Sequence, residues 1–185
     1  PNIVVPMLML FPSNQENTEF PIVIGLAQEG KERFLKERSV EITKLVNSGI
    51  SICLPDVRGT GETSPQKDYT ERGRQSEATT ISATELMFGQ TLLGSRLRDL
   101  RSVLRYLRTR DDTDNKKTAL WGDSFAPTNS PNFVDPLIGE GESPHQSEPL
   151  GGLLSLFGAL YEEDVIAVVA RKTIAGYESI SHDRF

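Results

Sequence analysis

The chain has 185 residues, 37% of them hydrophobic and 25% charged, which is the length of one domain and enough apolar material for one core. A single cysteine, Cys53, excludes an internal disulfide framework, and with only His145 and His182 as imidazoles a zinc site of His and Cys has too few ligands, so no metal is expected. The net charge of −6, from 20 basic and 26 acidic residues, argues against nucleic acid as a partner, and no run approaches the roughly 18 apolar residues that a membrane span needs.

At the amino end, Pro1-Asn2-Ile3-Val4-Val5-Pro6 puts no basic stretch before an apolar one and does not read as a signal peptide, which leaves the compartment open. Residues 3 to 11 and 21 to 27 are apolar runs separated by a polar turn, and predict a hairpin or two adjacent strands. Between residues 32 and 47, Phe34, Leu35, Val40, Ile42, Leu45 and Val46 interleave with charge as an amphipathic helix that stops at Ser48-Gly49. Ile50-Ser51-Ile52-Cys53-Leu54 is a short strand closed by Pro55-Asp56, with Cys53 a small core residue. Residues 59 to 77 carry no aliphatic side chain and read as a solvated loop.

Ser82-Ala83-Thr84-Glu85 has the form of a capping box, and leucines from Leu86 to Leu107 recur at three-, four- and seven-residue steps, predicting one long helix to about residue 108. Gly89 and Gly94 inside it are expected where the helix presses on a sheet. Arg96, Arg98, Arg101, Arg105, Arg108 and Arg110 stripe the same segment; a phosphate-binding face is one reading, and a solvated face covering apolar surface with its stems is the preferred one in an acidic chain. Lys117-Thr118-Ala119-Leu120-Trp121 is a strand, 127 to 149 an irregular insertion, 150 to 161 a helix and 165 to 170 a strand. Such alternation predicts a three-layer α/β/α sandwich around a mostly parallel sheet.

Trp121-Gly122-Asp123-Ser124-Phe125-Ala126 sets a serine directly after a buried strand, with small residues two before and two after it. A nucleophile on a sharp strand-to-helix turn sits in strained backbone, and Gly122 and Ala126 lack the bulk that would clash as the chain folds back. The turn exposes the hydroxyl and aims the Phe125 amide at the place where an oxyanion forms.

Gln28-Glu29-Gly30 after an early strand, Asp56-Val57-Arg58-Gly59-Thr60-Gly61-Glu62-Thr63 after the next, and Gly122-Asp123-Ser124-Phe125-Ala126 together resemble the α/β-hydrolase superfamily. Within it the chain is most similar to the acetyl xylan esterase and X-Pro dipeptidyl peptidase-like branch, in which a D-x-R-G-x-G-x-S motif follows the fourth strand; Thr63 stands here in place of Ser. The resemblance implies acyl transfer through a serine ester without a cofactor, with Ser124 as nucleophile and the Phe125 amide as one oxyanion donor. It also implies a second donor at Gln28 or Glu29. Arg58 either contacts substrate or pairs with a carboxylate such as Asp56 to hold its loop, the pairing being preferred because charges away from water are usually matched. A dinucleotide role for Gly59-Thr60-Gly61 is set aside, since the segment lacks a third glycine and opens a polar loop.

In this fold the triad runs serine, acid, histidine, and only 61 residues follow Ser124. Two more strands do not fit there, so the base is expected beyond Phe185 and residues 1–185 are expected to be a partial domain, lacking carboxyl-terminal strands and inactive alone. His182 and Asp183 are neighbours and cannot easily form a relay. His145 lies in the insertion with Pro127, Pro131, Pro136, Pro144 and Pro149, and reads as part of a solvated excursion or lid in preference to a replacement base. The insertion is expected to delay or interrupt the helix whose dipole assists the oxyanion. The expected function is serine hydrolysis of small carboxylic esters, including acetyl esters of carbohydrates. The alternatives are a peptidase of the same fold and a non-catalytic binding scaffold. Partners beyond the substrate are a second copy or a complementary carboxyl-terminal segment, meeting the strand at 165 to 170 along its open edge.

Overall fold

The computed structural model describes residues 3–13, 19–64, 77–125 and 149–174, the side chains of 77–79 excepted. In chain order these form β1 (Met7–Leu10), β2 (Phe20–Ala27), α1 (Lys31–Glu37), α2 (Ser39–Asn47), β3 (Ser51–Pro55), α3 (Glu77–Met87), α4 (Leu92–Leu107), β4 (Thr113–Asp123), α5 (Leu150–Tyr161) and β5 (Val165–Ala170). The five strands make one sheet in the order β1-β3-β2-β4-β5. Only β1 runs antiparallel, against β3; the β3–β2, β2–β4 and β4–β5 pairs are parallel.

Strand side chains alternate between faces, and both faces are covered. Ile22, Ile24 and Leu26 of β2, with Cys53 and Leu120, pack under Leu100, Val103, Leu104 and Leu107 of α4 and Leu150 and Leu154 of α5. On the opposite face Ile52, Leu54 and Trp121 pack under Phe34 of α1 and Ile42 of α2. Each of these fully buried Leu and Ile side chains contributes about 2 kcal/mol relative to exposure. The alternating elements are thus a three-layer α/β/α sandwich with a mostly parallel sheet.

Several local expectations are corrected. The first two strands form no hairpin: β3 lies between them, because Met7, Leu8, Met9 and Leu10 pair with Pro55, Leu54, Cys53 and Ile52. The helix expected over 32 to 47 is two helices broken at Arg38, whose backbone (φ −118°, ψ 20°) caps both. The long leucine-rich helix is also two. α3 ends ahead of Gly89, which at φ +70° has nothing within 4 Å of where a Cβ would stand, and α4 begins behind Thr91, whose hydroxyl accepts from the Gly94 amide. Both glycines therefore serve helix ends, not close approach to the sheet. Ser82 lies inside α3 and caps nothing, the helix having started at Glu77.

The arginine stripe is also more structural than expected. Arg96 is 1% exposed and its Nε donates to the Arg58 carbonyl (3.0 Å). Arg101 and Arg108 reach the nearly buried Glu162 at the start of the β5 approach, and Arg108 grips Asp164 with two 2.6 Å bonds. These pairs tie α4 to the α5–β5 connection. β5 is one edge of the described sheet, with Ile166 and Val169 more than half exposed. No helix among the described residues is long and apolar enough to cross a membrane.

Candidate active site

β2 is followed by helices on one face of the sheet and β4 by a helix on the other, so the chain parts in opposite directions at their carboxyl ends. Open α/β sheets bind ligands at such a switch point. The register that pairs Ala27 with Asp123 makes Gln28 and Ser124 leave the sheet side by side there. Ser124 is 5% exposed, so the serine that the sequence reading expected to present an open hydroxyl is nearly buried among the described residues. The structure thereby brings Gln28, Gly122, Ser124 and Phe125 together; Ala126, His145, His182 and Asp183 lie outside the described residues.

Glycines let α5 reach the serine. A Cβ on Gly122 would stand 2.0 Å from the Gly151 carbonyl oxygen, and one on Gly151 would stand 2.2 Å from the Leu26 oxygen and 2.7 Å from the Asp123 nitrogen. The first turn of α5 therefore lies across the ends of β2 and β4. The helix begins far later in sequence than the usual turn demands, yet its amino end, with its positive dipole, is docked beside Asp123. The strain expected at the serine is a separate matter: among described non-glycine residues only Lys172 has a positive φ (49°), so Ser124 is not in the left-handed region. The next described helix starts at Leu150.

The carboxyl end of β3 supports the loop after β2. Asp56, 1% exposed, accepts from the Lys31 amide (2.7 Å), the Lys31 ammonium (2.6 Å) and the Glu62 amide (3.0 Å). Burial opposes the charge on Lys31, but its bonds to Asp56 and Glu62 prevail and hold the ammonium above its ordinary pKa. Gly30 (φ +84°) and Gly61 (φ +46°) close around this carboxylate: a Cβ on Gly30 would meet the Gly61 Cα at 2.5 Å, and one on Gly61 would meet Asp56 at 2.4 Å. Two loops are thus clamped through one acid, and the backbone at Gln28 and exposed Glu29 is positioned from behind. Thr63 substitutes well for a serine, its hydroxyl sitting 2.7 Å from the Val57 carbonyl and 3.2 Å from the Thr60 amide.

Arg58 does pair with carboxylates, but not with Asp56. Its guanidinium donates to both oxygens of Asp99 (2.8 and 2.7 Å) and to Glu85 (3.1 Å), and its amide donates to Asp99 as well (3.0 Å). Lys31 already occupies Asp56, and the side chain of Arg58 is drawn toward α3 and α4. Arg58 is a strut between the β3 loop and these helices.

The sequence reading missed Arg38. From the break between α1 and α2 its Nε donates to Asp123 Oδ2 (2.6 Å), and its guanidinium lies 5.2 Å from the centroid of the Phe125 ring. The hydrogen bond to Asp123 raises the already high pKa of this guanidinium. Asp123 is fully buried; Arg171 adds a second cation at 3.7 Å, and Oδ1 has no hydrogen-bond partner among the described residues. Phe125 also meets Phe34 edge-on (5.9 Å), which in turn meets Trp121 edge-on (5.0 Å). The buried charge beside the serine was the available signal, since a carboxylate there requires a cation. Its partner lies 85 positions away and has no local mark. No group of His, Cys, Asp and Glu suited to a metal ion occurs among the described residues.

No family model and no curated protein matches the sequence. Solved structures do. An acetyl xylan esterase from Paenibacillus sp. R4 superposes with a TM-score of 0.62 at 14% identity, over 96% of this chain and 48% of that one. Est1E from Butyrivibrio proteoclasticus, solved with ferulic acid bound, gives 0.52 at 14% identity over 90% and 47%, and a candidate acetyl xylan esterase from Bacteroides fragilis gives 0.56 at 21% over 67% and 36%. The chain thus spans less than half the length of these structures. With its sheet order, its single antiparallel strand and these neighbours, the chain has an α/β-hydrolase-type fold similar to that of these esterase structures.

Proposed function

We propose that Ser124 is the nucleophile of a hydrolase that cleaves small carboxylic esters, acetyl esters of carbohydrates among them, through an acyl-enzyme. The observation that carries this reading is the position of Ser124 at the carboxyl end of β4, beside Gln28 and under the amino end of α5. Ser124 Oγ would attack the ester carbonyl while a base takes its proton; the alcohol leaves, and water then releases the acid and restores the serine. The developing oxyanion would be met by the Phe125 amide and by an amide of Gln28 or Glu29. None of the described residues is a histidine, so a histidine base would come from other parts of the protein. The fold neighbours favour an ester over a peptide as substrate, through the esterases among them.

A non-catalytic scaffold is the second reading, favoured by the absence of a left-handed backbone at Ser124. Treatment of the full-length protein with a fluorophosphonate separates the two. Modification of Ser124 together with acetate release that Ser124→Ala abolishes is expected of the hydrolase. A protein that is folded, unlabelled at Ser124 and unable to release acetate from acetylated xylo-oligosaccharides or p-nitrophenyl acetate is a scaffold.

A further inference from the structure

We infer that Arg38 is the positioning residue of Ser124, a role that rests on the serine reading above. One guanidinium engages both sequence neighbours of the serine: Nε holds the carboxylate of Asp123, and the planar group covers the ring of Phe125. The serine is bracketed between these contacts. Asp123 has no exposure to water, so its orientation is set by what it bonds, and the described bond is to Arg38. The ring of Phe125 is held by Phe34 and Arg38, which restrains the residue whose amide is the proposed oxyanion donor.

The bracket also has an electrostatic effect. A bare carboxylate next to the serine would oppose negative charge building up on Oγ and on the substrate oxygen, and from a fully buried carboxylate that repulsion is weakly screened. Arg38 at 2.6 Å, with Arg171 at 3.7 Å behind it, cancels that charge while keeping the carboxylate as an anchor. The hinge at Arg38 is what makes the reach available: a continuous helix from 31 to 47 would carry the backbone of residue 38 in regular α geometry, whereas the observed φ of −118° turns it at the helix junction. Lysine could match the charge but not the flat cover over the ring.

The test uses the full-length protein carrying Arg38→Ala, Arg38→Lys, or Arg38→Gln with Asp123→Asn. The readouts are the rate of fluorophosphonate labelling at Ser124, kcat and KM for p-nitrophenyl acetate, and the melting temperature. Arg38→Ala is expected to slow labelling and lower kcat about tenfold to a hundredfold with KM nearly unchanged, the signature of displaced reacting groups. Millimolar methylguanidinium should restore part of the loss, and Arg38→Lys should recover only part of it. A merely structural arginine would lower the melting temperature and leave both rates alone; that result overturns the inference. If Arg38→Ala does not fold, the double variant decides, because it leaves no buried charge unpaired. Wild-type labelling in it overturns the role, and slowed labelling at unchanged KM supports it. Absence of any Ser124 adduct in the wild type overturns the serine reading and this role with it, whereas a labelled wild type with unaffected variants overturns the role of Arg38 alone.

Discussion

Replacing Asp56 by Asn keeps the shape of the side chain and reverses part of its hydrogen bonding. The carboxylate accepts from three donors, the Lys31 amide at Oδ1 and the Lys31 ammonium and Glu62 amide at Oδ2. An amide has one oxygen to offer, so its NH2 group must face either the Lys31 amide or the other two donors, and at 1% exposure no water replaces the lost acceptor. One buried donor left unmade costs about 1–3 kcal/mol, and loss of the charge-assisted bond to the ammonium adds about 1–2 kcal/mol, giving about 3 kcal/mol in all. Lys31 keeps Glu62 as a partner, which places the total below the cost of stranding a fully buried cation. The assay is urea unfolding of the full-length protein at pH 7, where the midpoint should fall while the slope stays constant. Gln28 and Glu29 stand just ahead of the clamped Gly30 and Lys31, so labelling at Ser124 should slow as well. A midpoint within about 0.5 kcal/mol of wild type, the range of an indifferent surface change, would refute the view that this acid clamps the two loops.

Asp164 is held below its ordinary pKa chiefly by its hydrogen bond from Arg108, so the pair stabilises the fold above the unfolded value of about 3.9 and loses that contribution as pH falls through the folded value. Asp164→Asn should therefore cost about 1 kcal/mol or less at pH 7, and its cost should shrink as pH falls below the unfolded value, read from urea midpoints across that range. Cys53 is fully buried, and burial pushes its thiol up to about 12. It should resist iodoacetamide at pH 8 in the folded protein and react once urea unfolds it; rapid alkylation in native buffer would contradict that. The open edge of β5, with Ile166 and Val169 exposed, is expected to make residues 1–185 self-associate. Light scattering at micromolar concentration should show oligomers that Val169→Lys disperses, and a wild-type monomer would count against edge pairing.

What the sequence revealed was what short-range pattern controls. The period of the apolar residues announced β3, α5 and β5 nearly to the residue, and the alternation of strand and helix announced the layers. Strand neighbours were not legible: whether β1 lies beside β2 or beyond β3 depends on pairing that no local motif encodes. At residues 88 to 91 the signals conflicted. Gly89 as a helix stop and Thr91 as a helix start were both present, and the leucine spacing that continues through them hid the break. The need for a small residue at 122 was legible, but the segment that requires it is Gly151 of α5, which no local pattern announces. Arg38 was not, since its value comes from a charge and a ring that only the fold brings to it. Arg58 shows the same limit in milder form: that it would be paired followed from its charge, and which carboxylate it would choose did not.

The proposal stands or falls on the chemistry of one side chain. The direct measurement is peptide mass spectrometry of the full-length protein after reaction with a fluorophosphonate, alongside acetate release from an acetylated xylo-oligosaccharide. A phosphonyl adduct on Ser124, lost together with acetate release in Ser124→Ala, is the predicted result. Acetate release that survives Ser124→Ala, or an adduct confined to another residue, would contradict the assignment of Ser124 as the nucleophile.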